Sequence, residues 1–134
     1  MARNQKQFDR GMKLMTSMGR QNNMQDMKAI FPDLYEMSVG HLFGDVWTRP
    51  HLSLRERELI TIAVNMALVR PTGNIAHFRS AKFIGIPKED LLETIMHVGM
   101  YAGWGTIGFS LRQLHQVYEE GAAGKKKAKR RKAE

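Results

Sequence analysis

The chain has 134 residues, 43% of them hydrophobic and 25% charged, which suffices for one core of ordinary size and leaves no room for a second domain. It has no cysteine, which excludes disulfides, thiolate metal sites and cysteine nucleophiles and is compatible with the reducing cytoplasm in which the protein is expected to reside. The formal charge of +8 gathers at one end: Lys125, Lys126, Lys127, Lys129, Arg130, Arg131 and Lys132 all follow Gly121, and without them and Glu134 the remaining 14 basic and 12 acidic side chains nearly cancel.

Read from the start, Met1-Ala-Arg-Asn-Gln-Lys-Gln7 lacks the apolar run of a signal peptide. Apolar residues then recur at helical spacing, without the alternation of half-buried strands. A helix over residues 6–18 would place Phe8, Met12 and Met15 on one side and stop at Gly19. A second, over residues 33–47, follows Pro32 and carries Leu34, Met37, Val39, Leu42, Phe43 and Val46. Ser53 and Glu56 have the spacing of a capping box, in which each side chain bonds the other's backbone amide, so a third helix should start there. It would run on to Val69, before Pro71, and its apolar residues on nearly every side predict the central buried helix. Residues 73–84 form the next, ended by Gly85. Another starts near Pro87, with Glu89 and Asp90 in the first turn where carboxylates oppose the helix dipole.

The longest uncharged segment, residues 94–111, holds four glycines, a histidine and several hydroxyls, so no membrane span is expected. Its glycines, at 99, 103, 105 and 108, suit tight helix contacts, a break near 103–105 or an oligomer seam. A last helix, residues 106–120, ends at Gly121. The basic remainder has too little apolar surface to offset its ordering entropy and should be disordered. The expectation is an all-α subunit of about six helices, one domain over residues 1–120 and a tail over 121–134. The ten methionines are read as adaptable core filling.

Three segments carry a family resemblance: Phe43-Gly-Asp-Val-Trp-Thr-Arg-Pro-His-Leu-Ser-Leu-Arg-Glu-Arg-Glu-Leu-Ile-Thr61, then His77-Phe-Arg-Ser-Ala-Lys-Phe-Ile-Gly-Ile-Pro-Lys-Glu-Asp-Leu-Leu-Glu-Thr-Ile-Met-His97, then Tyr101-Ala-Gly-Trp104. Their order and spacing resemble the carboxymuconolactone decarboxylase family, over core motifs in residues 31–112. The resemblance implies an alkylhydroperoxidase-like helical subunit that assembles into trimers or hexamers and acts without a cofactor on a small carboxylate or lactone. In the thiol peroxidase relatives a Cys-x-x-Cys-x-x-x-His motif ends at the histidine matching His77. Arg70 and Gly73 stand at the two cysteine positions, so that chemistry is excluded. The chain also departs from the Glu-Leu-x-x-His entry common in decarboxylases, reading Gly73-Asn-Ile-Ala-His77.

Decarboxylation of such a lactone needs a proton donor, cations or donors for the carboxylate and the developing oxyanion, and walls against water. His77 is the first candidate for acid or oxyanion donor, because imidazole changes charge near neutral pH; its bland alternative is a core histidine on a helix carbonyl. Glu58, with Thr61 and Asn65 continuing a polar line along an apolar helix, is the second; its alternative is an ion pair with an arginine. His97 lies four residues from both Glu93 and Tyr101, a stripe that suits either mutual orientation or interfacial packing. Arg49, Arg57 and Arg70 are candidates to hold a substrate carboxylate, since guanidinium offers a two-pronged fit, and otherwise are surface charges. Trp47, Tyr101 and Trp104 complete the expected substrate-binding set, with core packing the ordinary role of aromatic residues.

No metal site is expected, there being no His-Glu-x-x-His and only five scattered histidines. The tail lacks aromatics for base stacking, which argues against specific nucleic-acid recognition and leaves nonspecific polyanion contact. The alternative function class is a noncatalytic oligomeric scaffold or ligand-binding protein of the same fold that uses this tail.

Overall fold

A computed structural model describes residues 4–133. Residues 1–3 and 134, which end the two ranges expected from sequence, lie outside the described residues. Every regular element among the described residues is helical. They are α1 (Gln5–Ser17), α2 (Gln25–Ile30), α3 (Pro32–Met37), a π-helical segment (Ser38–Val46), α4 (Leu54–Ala67), α5 (Pro71–Phe83), α6 (Lys88–Ala102) and α7 (Trp104–Ala133). No helix among the described residues is long and apolar enough to cross a membrane.

The chain forms two compact units, one comprising residues up to Arg57 together with 83–85, the other residues 58–82 and 86 onward. In the first, α1 is capped by Asn4, whose side chain accepts from the Gln7 amide at 3.2 Å, and Gly19 ends the turn after it with a φ of 69°. Met15, Met18, Tyr35, Val39, Phe43 and Trp47 form its core, flanked by the partly buried Phe8, Met12, Met24, Met27 and Ile84. Among the described residues the methionines thus serve mainly as core filling, with Met37, Met96 and Met100 the exposed exceptions.

The single helix expected over residues 33–47 is α3 running into the π-helical segment, whose last bond joins the Trp47 amide to the Leu42 carbonyl at 3.0 Å. This segment lies directly on α1. A Cβ built on Gly11 would fall on the Val39 carbonyl, and one on Gly44 would fall on the Gln7 carbonyl, so both positions need glycine for backbone contact. The contact is tied by Arg10, whose Nε donates to the Gly44 carbonyl at 2.6 Å, and by Asp45, which accepts from Gln7 and Arg10. Those bonds, the Gln7 amide first, hold the Asp45 carboxyl below its ordinary range.

The capping box at the start of α4 is formed: the Ser53 amide donates to Glu56 Oε2 at 2.6 Å and the Glu56 amide to Ser53 Oγ at 3.1 Å. Two expectations about this region change. Pro71 opens α5 at a first-turn position, where its missing N–H costs nothing, so α5 begins before residue 73. And α4 is not buried on every side. Ile62 and Met66 are interior, while Ile60, Val64 and Leu68, spaced by four, are about half exposed.

α6 begins at Lys88 with Glu89 and Asp90 in its first turn, and Gly103, at a φ of 103°, separates it from α7. Helices α6 and α7 pack together, and a Cβ on Gly99 would collide with the Ile107 side chain. α7 does not stop at Gly121. It continues to Ala133, exposed throughout from Glu119. Alanine, lysine and arginine are strong helix formers, and cations in the last turn favour the negative end of the dipole, so a segment without an apolar face still takes helical geometry.

Candidate active site

Burial of polar groups is uneven. Apart from Arg20, the buried polar side chains among the described residues are Glu58, Asn65, Asn74, His77, Ser80, Thr106 and Ser110, all in the second unit. Because a buried polar group costs stability unless bonded, a polar interior in one unit of a small protein asks for an explanation beyond packing.

Glu58 on α4 is fully buried and His77 on α5 is 8% exposed, and His77 Nδ1 meets Glu58 Oε1 at 2.6 Å. The two sit on different helices, 19 residues apart, joined through the interior of one unit. The carboxyl group fixes the orientation of the ring and engages its Nδ1. The second carboxyl oxygen, Glu58 Oε2, is buried without a hydrogen-bond partner among the described residues.

Beside this pair runs a network that sequence reasoning missed. Asn74, one turn before His77 and fully buried, donates from Nδ2 to Ser110 Oγ at 3.3 Å and to Gln113 Oε1 at 2.8 Å. Gln113 Nε2 donates to the Pro71 carbonyl at 2.8 Å. The amide orientations follow from this chain of bonds. A carbonyl can only accept, so Gln113 must turn its nitrogen to Pro71 and its oxygen to Asn74, and Asn74 must answer with its nitrogen. Asn74 Oδ1 is then left buried without a partner, a second such acceptor beside Glu58 Oε2. The only advance signal was an asparagine three residues before a histidine. Its partners stand 36 and 39 residues away.

Asn74→Leu keeps the branching at Cγ and strips Gln113 and Ser110 of their buried donor. It is expected to cost about 1–3 kcal/mol in urea unfolding; a midpoint unchanged from the parent would show that the network contributes nothing.

The other residues singled out from sequence are placed as follows. Asn65 is buried on α4 and its amide lies against Gly73, while Thr61 is half-buried. Arg70 is exposed, and its carbonyl accepts from the Asn74 amide at 2.9 Å. His97 is exposed and packs at a tilt against Tyr101, ring centroids 5.3 Å apart, and Tyr101 and Trp104 are themselves largely exposed. These three lie on the solvent side of their unit, in contrast to the interior His77. In the first unit, Trp47 packs on Phe43 in the core, and Arg57 Nη2 donates to the Arg49 carbonyl at 2.9 Å. Of the nine residues, then, the structure pairs His77 with Glu58, His97 with Tyr101, and Arg57 with the Arg49 backbone. Among the described residues no three His, Asp or Glu side chains cluster as metal ligands would.

Comparison with known proteins adds two findings. The model of the carboxymuconolactone decarboxylase family matches residues 32–116, which include both Glu58 and His77. The chain is also 35% identical over 78 residues to a 4-carboxymuconolactone decarboxylase of Acinetobacter baylyi, an overlap that covers 58% of each protein. The chain therefore spans little more than half the length of that curated relative.

Proposed function

The chain belongs to the carboxymuconolactone decarboxylase family, and on that premise we propose that it is a carboxy-lyase acting without a cofactor on a small carboxylated unsaturated lactone or a related organic acid, with His77 and Glu58 handling the proton. The observation that carries this reading is the 2.6 Å bond between a buried carboxyl and a buried imidazole inside the second unit.

The chemistry asks little of the protein beyond placement. As the bond between the γ-carbon and its carboxylate breaks, carbon dioxide leaves and the electron pair moves through the ring double bond onto the lactone carbonyl. The dienolate so formed takes a proton at its α-carbon. The substrate is its own electron sink, and the enzyme supplies a proton, a charge partner and a dry wall. With Nδ1 of His77 committed to Glu58, delivery falls to Nε2, and the Glu58 carboxylate stabilises the imidazolium that holds the proton beforehand. The buried oxygens of Glu58 and Asn74 are acceptors and would repel an anion, so a guanidinium must hold the substrate carboxylate. Arg70, which lies in the same unit as the pair, is the candidate to be tested.

Assembly belongs to the same reading. Ile60 and Val64 on α4, with Leu68 just after its end, form one half-exposed apolar stripe, and Leu92, Met96 and Met100 form another on α6. Monomers seldom leave such stripes in water, which supports a homo-oligomer, a trimer or hexamer as the family resemblance implies. Light scattering is expected to report at least a trimer at micromolar concentration, and a monomer there would end the proposal of assembly.

The activity itself is tested by screening small carboxylated lactones and β-keto acids for carbon dioxide release. A panel that yields turnover with none of them, from a folded oligomer, would leave the noncatalytic binding protein as the better account.

A further inference from the structure

The last four turns or so of α7 are unlike the rest of the molecule. Every residue from Glu119 to Ala133 is exposed, and between Lys125 and Lys132 only Ala128 is uncharged. At 3.6 residues per turn these seven cations point in all directions around the helix, so it has no apolar face and no neutral one. No acidic residue lies between Gly121 and Ala133 to neutralise them.

From this we infer that the end of α7 is a docking element for the phosphate backbone of double-stranded nucleic acid. Two matches favour that partner. At ~1.5 Å rise per residue the helix carries one positive charge per ~1.7 Å, and duplex DNA carries one negative charge per ~1.7 Å of its axis. A helix roughly 10–12 Å across also fits a major groove about 12 Å wide, where phosphates flank it on both sides. Charge on all sides is then used. A flat anionic bilayer would meet only one side of such a helix and would find no apolar residues to bury. An acidic protein groove would find none of the apolar anchors by which helices dock into proteins. With no aromatic residue after Tyr118, the element reads backbone charge and not base sequence.

The same charges shape the free state. Lys125 and Lys129, Lys126 and Arg130, and Lys127 and Arg131 are like-charged pairs one turn apart, which weaken the helix at low salt until an anion neutralises them. Binding and helix content should rise together. The surface is remote in kind from the Glu58–His77 pair and stands or falls without reference to turnover.

The test uses the full chain and a variant with the seven basic side chains of residues 125–132 changed to glutamine, Lys125→Gln through Lys132→Gln. None is buried and glutamine is as good a helix former as lysine, so the variant keeps its fold, which an unchanged thermal midpoint will verify. Anisotropy of a labelled DNA duplex of about two helical turns is followed between roughly 50 and 200 mM salt. The parent is expected to bind with a log–log salt slope of up to about −6, the value for seven phosphate contacts, and with rising helical circular dichroism. The variant should bind at least ~10-fold more weakly with a slope near zero. Duplex binding that survives the glutamine changes overturns the inference. So does tighter binding, at equal salt and equal anionic charge, to phosphatidylserine vesicles or to polyglutamate than to the duplex.

Discussion

His77→Gln is expected to lower turnover about 100-fold or more, the range over which a positioned general acid contributes, while leaving the oligomer and its melting temperature nearly unchanged. Glutamine is the informative replacement because it fills similar space and keeps a polar amide in the buried site, yet it cannot carry a proton to substrate. Alanine would confuse two effects, since removing one partner of a buried pair strands the other and costs about 3–5 kcal/mol. Glu58→Gln completes the experiment: it retains the hydrogen bond to the ring but withdraws the charge that supports imidazolium. If Nε2 delivers the proton, both variants should lose turnover and the double variant should lose little more, because the two residues act as one unit. Rates unchanged in either single variant would remove the pair from the chemistry and reduce it to a buried structural bond.

The largest effect on stability is expected from Gly11→Ala. The new methyl group has nowhere to go, since α1 and the π-helical segment meet there backbone to backbone at the Val39 carbonyl, and neither chain can yield as a flexible side chain would. The cost should sit at the upper end of overpacking, about 3 kcal/mol, and appear as a lower urea midpoint. Gly124→Ala is the matched control. Its surroundings are open and its helix exposed, so removing glycine's extra unfolded freedom should be neutral or slightly favourable. Equal midpoints for Gly11→Ala and the parent would mean that the two segments do not approach as described.

How far the sequence carried can be judged from particular elements. Signals of local chemistry were legible: the Ser53–Glu56 box, the acidic start of α6 and the glycine break at 103 are each decided by a few neighbouring residues. Glu58 stood out as a polar residue in an apolar helix and His77 as an imidazole, but that they bond one another depends on how α4 meets α5, which no spacing in the sequence reports. The π-helical segment was invisible because Val39, Phe43 and Trp47, four apart, suit an α-helix equally well. α2 was passed over for want of an apolar face: none of its six residues is buried. The reading of α4 as the central buried helix holds only for one face, for a related reason. Apolar content reveals which faces seek cover, but a single chain need not provide it, and Ile60, Val64 and Leu68 stay open. At the tail the two arguments conflict, with little to bury on one side and strong helix formers on the other, and local propensity prevails in the structure.

The placement of the two tryptophans equips the protein with its own optical probes. Each compact unit contains a single indole, Trp47 enclosed at 9% exposure in one and Trp104 at 75% exposure in the other. Emission from the first should lie to the blue and resist acrylamide, while emission from the second lies to the red and is quenched. Whether the two units melt as one cooperative body or in succession is therefore readable from unlabelled protein, by following the two bands through a single denaturation curve.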